Sequence, residues 1–263
     1  MNTKLQSITH KLLAGGLLLV SLTGCKVMYT PTMQNVPLLQ EQGDIKVTLN
    51  TNNLQGAYAL TENVGVMVNG SFHSSEWKVE DGMNSNEVYS SRRFNVEGAG
   101  GYFKKLGENG SFEVYGGAGY GNVSYNNTFS YYNPDINLDE TQNLKFSANA
   151  MKVFVQPSIG TVGENLEVAF STRLVALKFS GINRVGYTDE QLQMENIYQI
   201  DKPTYMFAEP ALTLRYGLPW VKIQSQLLYS AKLNADALNY KPVNLNFSLH
   251  FNLSNTNRSN LFN

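Results

Sequence analysis

The stretch from Val243 to Leu253 can hardly be anything but a β-strand. Val243, Leu245, Phe247, Leu249, Phe251 and Leu253 share one parity, and Asn244, Asn246, Ser248, His250 and Asn252 share the other. A helix would scatter these apolar residues around its axis, whereas a strand sorts them onto two faces. The same alternation recurs upstream from Asp44 in segments of about 8 to 16 residues, ten in all. Leu166, Val168, Phe170 and Leu174 alternate with Glu167, Ser171 and Arg173; Met206, Leu212, Leu214 and Tyr216 with Glu209, Thr213 and Arg215; Val221, Ile223 and Leu227 with Lys222, Gln224 and Gln226. Shorter runs centre on Val47, Tyr58, Val68, Gly98 and Gly116. The sixth segment breaks parity between Phe146, Ala148 and the set Met151, Val153, Val155, which predicts a β-bulge near Asn149 or Ala150.

The connections suggest how these strands close. Tight turns at 61–63, 107–110, 163–165 and 217–220 alternate with longer connections near 78–87, 126–143, 182–203 and 233–240. Only the short hairpin at Thr51 and Asn52 departs from that alternation. Short turns at one rim and long loops at the other are the pattern of up-and-down transmembrane barrels. Tyr102, Phe112, Tyr216 and Trp220 near the turns, with Trp77, Tyr125, Tyr205 and Tyr229 toward the loops, suggest two aromatic girdles. The expectation is therefore an all-β chain forming one antiparallel barrel of about ten strands, or eight, over residues 44–253, with a polar tail at 254–263. A soluble β-sandwich would alternate in the same way and remains the competing architecture.

Ahead of the strands, Lys4 and Lys11 precede an apolar run from Leu12 to Leu22, and Leu22, Thr23, Gly24 and Cys25 match the lipobox of bacterial lipoproteins. Residues 1–24 read as a signal peptide and Cys25 as the lipidated residue of the mature chain. Cys25 is the only cysteine, which leaves no intramolecular disulfide and no cysteine-based metal site. Lys+Arg 20 against Asp+Glu 21 gives a formal net charge of −1, so no nucleic-acid partner is implied. Residues 25–43, with Pro31 and Pro37 among turn formers, have no strand or helix period and read as a lipid-anchored tether or a plug.

Tyr29-Thr30-Pro31 and Asn35-Val36-Pro37-Leu38, then Gly43-Asp44 and the first strand, give the chain a resemblance to small outer-membrane β-barrel proteins of Gram-negative bacteria that carry a lipobox. The resemblance covers essentially the whole mature chain. It implies an outer-membrane location with long loops extracellular, contact with outer-membrane lipid, and no known catalytic set. The chain departs from many such barrels in following Phe251 with a polar tail rather than ending on an aromatic.

Charged residues fall on the polar faces. Arg93, Arg173, Arg215 and Lys222 with Glu97, Glu113, Glu167 and Glu209 balance in sign and are expected to form a lumenal ion-pair network, since unpaired buried charges cost several kcal/mol each. A narrow channel is the alternative. Beyond the signal peptide the histidines are His73 and His250, beside Ser71 and Ser248, which supply parts of a lipid or peptide hydrolase without specifying one. Asp135, Asn137, Asp139 and Glu140 have calcium-loop spacing, but Glu140 stands where a glycine is wanted and Phe146 where a glutamate is wanted. Thr188-Asp189-Glu190-Gln191 forms a capping box ahead of Leu192 and Ile197. Tyr131, Tyr132, Tyr187 and Tyr198 mark loops 126–143 and 182–203 as candidate surfaces for an extracellular protein or glycan. No cofactor is expected. The leading expectation is a non-enzymatic envelope barrel with a structural or loop-mediated binding role.

Overall fold

The structure, a computed structural model, describes residues 26–81, 85–133 and 138–253. The strands run in chain order: β1 (Ile45–Asn50), β2 (Asn53–Ala59), β3 (Val64–Asp81), β4 (Ser85–Leu106), β5 (Gly110–Asn133), β6 (Leu138–Thr161), β7 (Leu166–Val185), β8 (Thr204–Gly217), β9 (Val221–Tyr229), β10 (Ala231–Lys232) and β11 (Val243–Asn252). Each pairs antiparallel with its neighbours; β11 closes onto β1 through Leu49↔Leu249, and β9 joins β8 through Leu212↔Leu227. Two-residue β10 pairs β8 at Phe207 and Ala208, continuing the line of β9, so eleven segments make ten staves. The result is a closed up-and-down barrel with no unpaired edge along the cylinder; only the extension of β3 to β6 above the rim has free edges, on β3 beyond Phe72 and on β6 before Lys145.

Inward and outward faces follow the sequence alternation. On β11 Val243, Leu245, Phe247 and Leu249 are exposed, while Asn244, Ser248 and His250 are buried. On β7 Leu166, Val168, Phe170 and Leu174 face out, and Glu167, Ser171 and Arg173 face in. The inversion of a soluble core, oily outside and polar inside, thus runs around the cylinder.

Four features differ from the sequence expectation. First, β3 to β6 extend well past their expected ends, so the connections near 78–87 and 126–143 are largely paired strand: Asp81↔Ser85 and Asn133↔Leu138 close these hairpins. Beyond Phe72 both faces of β3 are exposed, so the alternation fades although the ladder continues. Second, β6 has no extra residue. It pairs with β5 without a shift from Thr161 to Leu138, and Phe146, Ala148, Lys152, Phe154 and Gln156 all point inward on one parity. The irregularity lies on β7, where Ser180 to Asn183 spans one residue more than Asn149 to Ser147; Gly181 takes φ +59° there. Apolar residues at 146 and 148 signal an apolar patch of lumen, not a change of face. Third, Tyr125 and Tyr205 point inward and are buried, so they are no part of an external girdle, whereas Tyr102, Tyr216, Trp220, Trp77 and Tyr229 are exposed. Fourth, the connection at 182–203 folds over the rim. Thr188 caps α1 (Asp189–Met194) with the full capping box, and Leu192, Ile197 and Ile200 are buried in the cluster around Phe146, Phe179 and Phe207.

Candidate functional site: the occupied lumen

Residues 26–43 run through the barrel rather than beside it. At the long-loop rim the Lys26 ammonium lies 2.6 Å from Glu195 and 4.5 Å from the ring centre of Tyr187, and the Met28 amide donates to Asn239 at 2.8 Å. Burial lowers the Lys26 pKa, with Glu195 pulling in the opposite direction. At the turn rim Gln40 donates to Asp44, and Leu39 packs with Ala59 and Phe103. Between these ends the segment crosses the lumen once.

An irregular strand inside a cylinder has no ladder partner, yet its buried amides and carbonyls need one. Inward side chains of the wall provide them. Asn244 donates to Pro31 O at 2.9 Å, Gln55 to Met33 O at 2.8 Å, Gln156 to Asn35 O at 2.7 Å and Arg215 to Val36 O at 2.6 Å. Gln34 is held four ways: its amide donates to Gln226 and its carbonyl accepts from the same residue, while its side chain donates to Glu209 O and accepts from Ser171. Pro31 and Pro37 remove two donors that would otherwise need acceptors. Close approach also requires room: a Cβ at Gly65 would stand 2.6 Å from Leu39 Cδ1 and 2.8 Å from the Tyr115 hydroxyl.

The charged residues form two separate triads. Glu97 is shared by Lys152 and Arg173, the latter at 3.1 Å, and accepts from the Thr32 hydroxyl of the inner segment. Glu167 is shared by Arg215 at 3.0 Å and Lys222 at 2.7 Å. Gln156 and Gln224 accept from the remaining guanidinium hydrogens of Arg173 and Arg215, so each triad is hydrogen-bonded beyond its ion pairs. Lys152 was not anticipated, although its parity opposite Met151 and Val153 already placed it on the inward face. Three anticipated members have other roles. Glu113 accepts from the Leu39 amide at 2.7 Å, Glu209 accepts from the Tyr29 and Ser230 hydroxyls, and Arg93 donates to the Thr30 hydroxyl. The inner segment, absent from a reading of the wall alone, takes the place of their expected counter-charges.

The histidines are not joined to serines. His250 Nδ1 lies 2.8 Å from Thr48 Oγ1, and Ser248 meets the Met33 sulfur at 4.0 Å; His73 sits at the loop rim, directly opposite Arg93 in the sheet. No group of three His, Cys, Asp or Glu suited to a metal ion occurs among the described residues. Tyr187 and Tyr198 are half-buried against the apolar cluster beneath the folded-over connection. Tyr131 and Tyr132 fall in β5, and their side chains, like Cys25, Asp135 and Asn137, lie outside the described residues.

The lumen is therefore divided by height. Toward the turns it holds the triads and amide side chains with Phe103, Tyr115 and Leu39; toward the loops it holds Tyr29, Val123, Phe146, Leu177, Phe179 and Phe207 on the β5 to β8 side, and a polar wall with Arg93 on the β3 and β4 side. No protein-family model matches the chain, and no curated protein matches it in sequence.

Proposed function

We propose that this chain is an outer-membrane barrel lipoprotein whose lumen is sealed by its own N-terminal segment, and that it serves the envelope as a structural or loop-presenting protein without turnover chemistry. The observation that carries this reading is the height of the exterior apolar belt. On β3 the outward residues are apolar from Val64 to Phe72 and become Ser74, Glu76 and Lys78 beyond it. On β6 they are apolar from Ile159 to Met151 and become Asn149, Ser147 and Lys145. Each run is nine residues by position, within the about 9–11 that a tilted strand needs to cross a bilayer. Inside, the polarity reverses at the same height, with Phe146 and Ala148 facing inward where Ser147 and Lys145 face out. A soluble sandwich gives no reason for a belt of fixed height around a closed cylinder.

The direction of the inner segment adds a consequence. Lys26 is held at the long-loop rim, so the lipid expected on Cys25 would be delivered to the leaflet on that side. Fractionation of cells, followed by gel electrophoresis with and without heating, tests the reading. A band in the outer-membrane fraction whose mobility changes on boiling, carrying metabolically incorporated palmitate that a Cys25→Ser variant lacks, is expected. Recovery in the soluble periplasmic fraction without lipid would refute it.

A further inference from the structure

A cavity of about 400 Å³ lies between residues 28–33 of the inner segment and the wall formed by β1 to β7 and β11, at the long-loop end. Its volume falls within the range of small-molecule sites. It opens where the rim is lowest, at the tight β1–β2 hairpin, whose exposed Asn52 lines it.

The lining is biased in sign. It includes Arg93, Lys152, Lys241 and His73, and no aspartate or glutamate. Lys152 is neutralised by Glu97, which does not itself line the cavity, but no ion pair to Arg93 or Lys241 occurs among the described residues. Arg93 bonds the neutral Thr30 hydroxyl, and its Nε is buried without a partner. His73 stands directly opposite Arg93 in register; burial, with Arg93 and Lys241 nearby, lowers its pKa, so it adds a neutral imidazole to the lining and the positive charge comes from Arg93 and Lys241. The rest of the polar lining is largely amide: Asn52, Asn53, Asn95, Asn244 and Asn246. Asn53 Oδ1 and Asn246 Nδ2 are buried without partners, leaving one acceptor and one donor unused beside the unused guanidinium hydrogen.

We infer that this cavity binds a small anionic sugar, its phosphate or carboxylate held by Arg93 and Lys241 and its hydroxyls by the surrounding asparagines. A planar guanidinium suits a two-oxygen anion, and an amide offers a donor and an acceptor side by side, as vicinal hydroxyls do. The inference concerns the interior and does not require the membrane reading.

Isothermal titration of the full chain in neutral detergent at low salt tests it, with glucose 6-phosphate, galacturonate, glucose, inorganic phosphate and lipid A as probes. Glucose 6-phosphate or galacturonate is expected to bind at least tenfold more tightly than glucose and inorganic phosphate. Arg93→Gln and Lys241→Gln should each weaken that binding tenfold or more, while Lys105→Gln at the opposite rim leaves it unchanged. All three variants should keep wild-type mobility without heating, which separates lost binding from lost folding. Competition of lipid A with glucose 6-phosphate would assign the sugar to a lipid headgroup; binding of the free sugar alone would assign a soluble ligand. Absence of heat with every anion, equal binding of inorganic phosphate and glucose 6-phosphate, or affinity unaffected by Arg93→Gln and Lys241→Gln would overturn the inference.

Discussion

Glu97 shows what a single lumenal residue does. Its carboxylate holds Lys152, Arg173 and Thr32 together, tying β4, β6 and β7 to the inner segment. Replacing one member of such a buried set leaves charges that nothing compensates. Glu97→Gln is therefore expected to lower stability by about 3–5 kcal/mol, read from the urea midpoint of the heat-modifiable form. An unchanged midpoint would mean that water reaches the triad. Gly65 makes a different demand. Gly65→Val would drive side-chain atoms into Leu39 and Tyr115, and an overpacking cost of about 1–3 kcal/mol is expected. The same variant should expose residues near Leu39 to protease from the turn side, whereas protection equal to wild type would show that Leu39 does not seat there. At this scale the sequence revealed most of the charges that face inward, because parity decides that, but Lys46 and Lys152 were missed. It did not reveal their partners, because Glu113, Glu209 and Arg93 bond to residues of a segment with no periodicity to read.

Among the elements, parity was legible wherever the two sides of a strand meet different surroundings. β11, β9 and the first half of β7, to Leu174, meet apolar and polar environments on opposite faces, and their alternation is plain. β3 to β6 cross a boundary: past Phe72, Phe94, Tyr120 and Met151 the outward face becomes mostly polar, and on β5 and β6 the inward face turns apolar at Val123, Phe146 and Ala148. A pattern that swaps faces looks like a slipped strand, which is why β6 suggested a bulge it does not contain. The boundary can be tested by charge. Val153→Arg, outward within the belt, is expected to cost about 2–4 kcal/mol in a bilayer, and Asn126→Arg, outward beyond it, about 0–1 kcal/mol. Equal costs in reversible vesicle unfolding would erase the boundary. The inner segment is the element most dependent on the others. Gln34→Ala strands the side chain of Ser171 and the carbonyl of Glu209, so a loss of about 1–3 kcal/mol is expected.

For the whole molecule, the ladder closes around the cylinder and the threaded segment fills the space the ladder encloses. Planar-bilayer recordings of the wild type should be silent, while Gln34→Ala should give intermittent openings as the segment loosens; steady wild-type conductance would contradict a filled lumen. Filling of the lumen is a property of the fold, whereas contact of the exposed apolar belt with lipid belongs to the proposed function and needs its own test. Brominated-lipid quenching of tryptophan measures that contact most directly. With Trp77 and Trp220 changed to phenylalanine, a tryptophan introduced as Val153→Trp should be quenched most strongly by bromines near the middle of the acyl chains, and one introduced as Asn126→Trp scarcely at all. Equal, weak quenching at both positions, in protein that stays monomeric in water without detergent, would contradict the account.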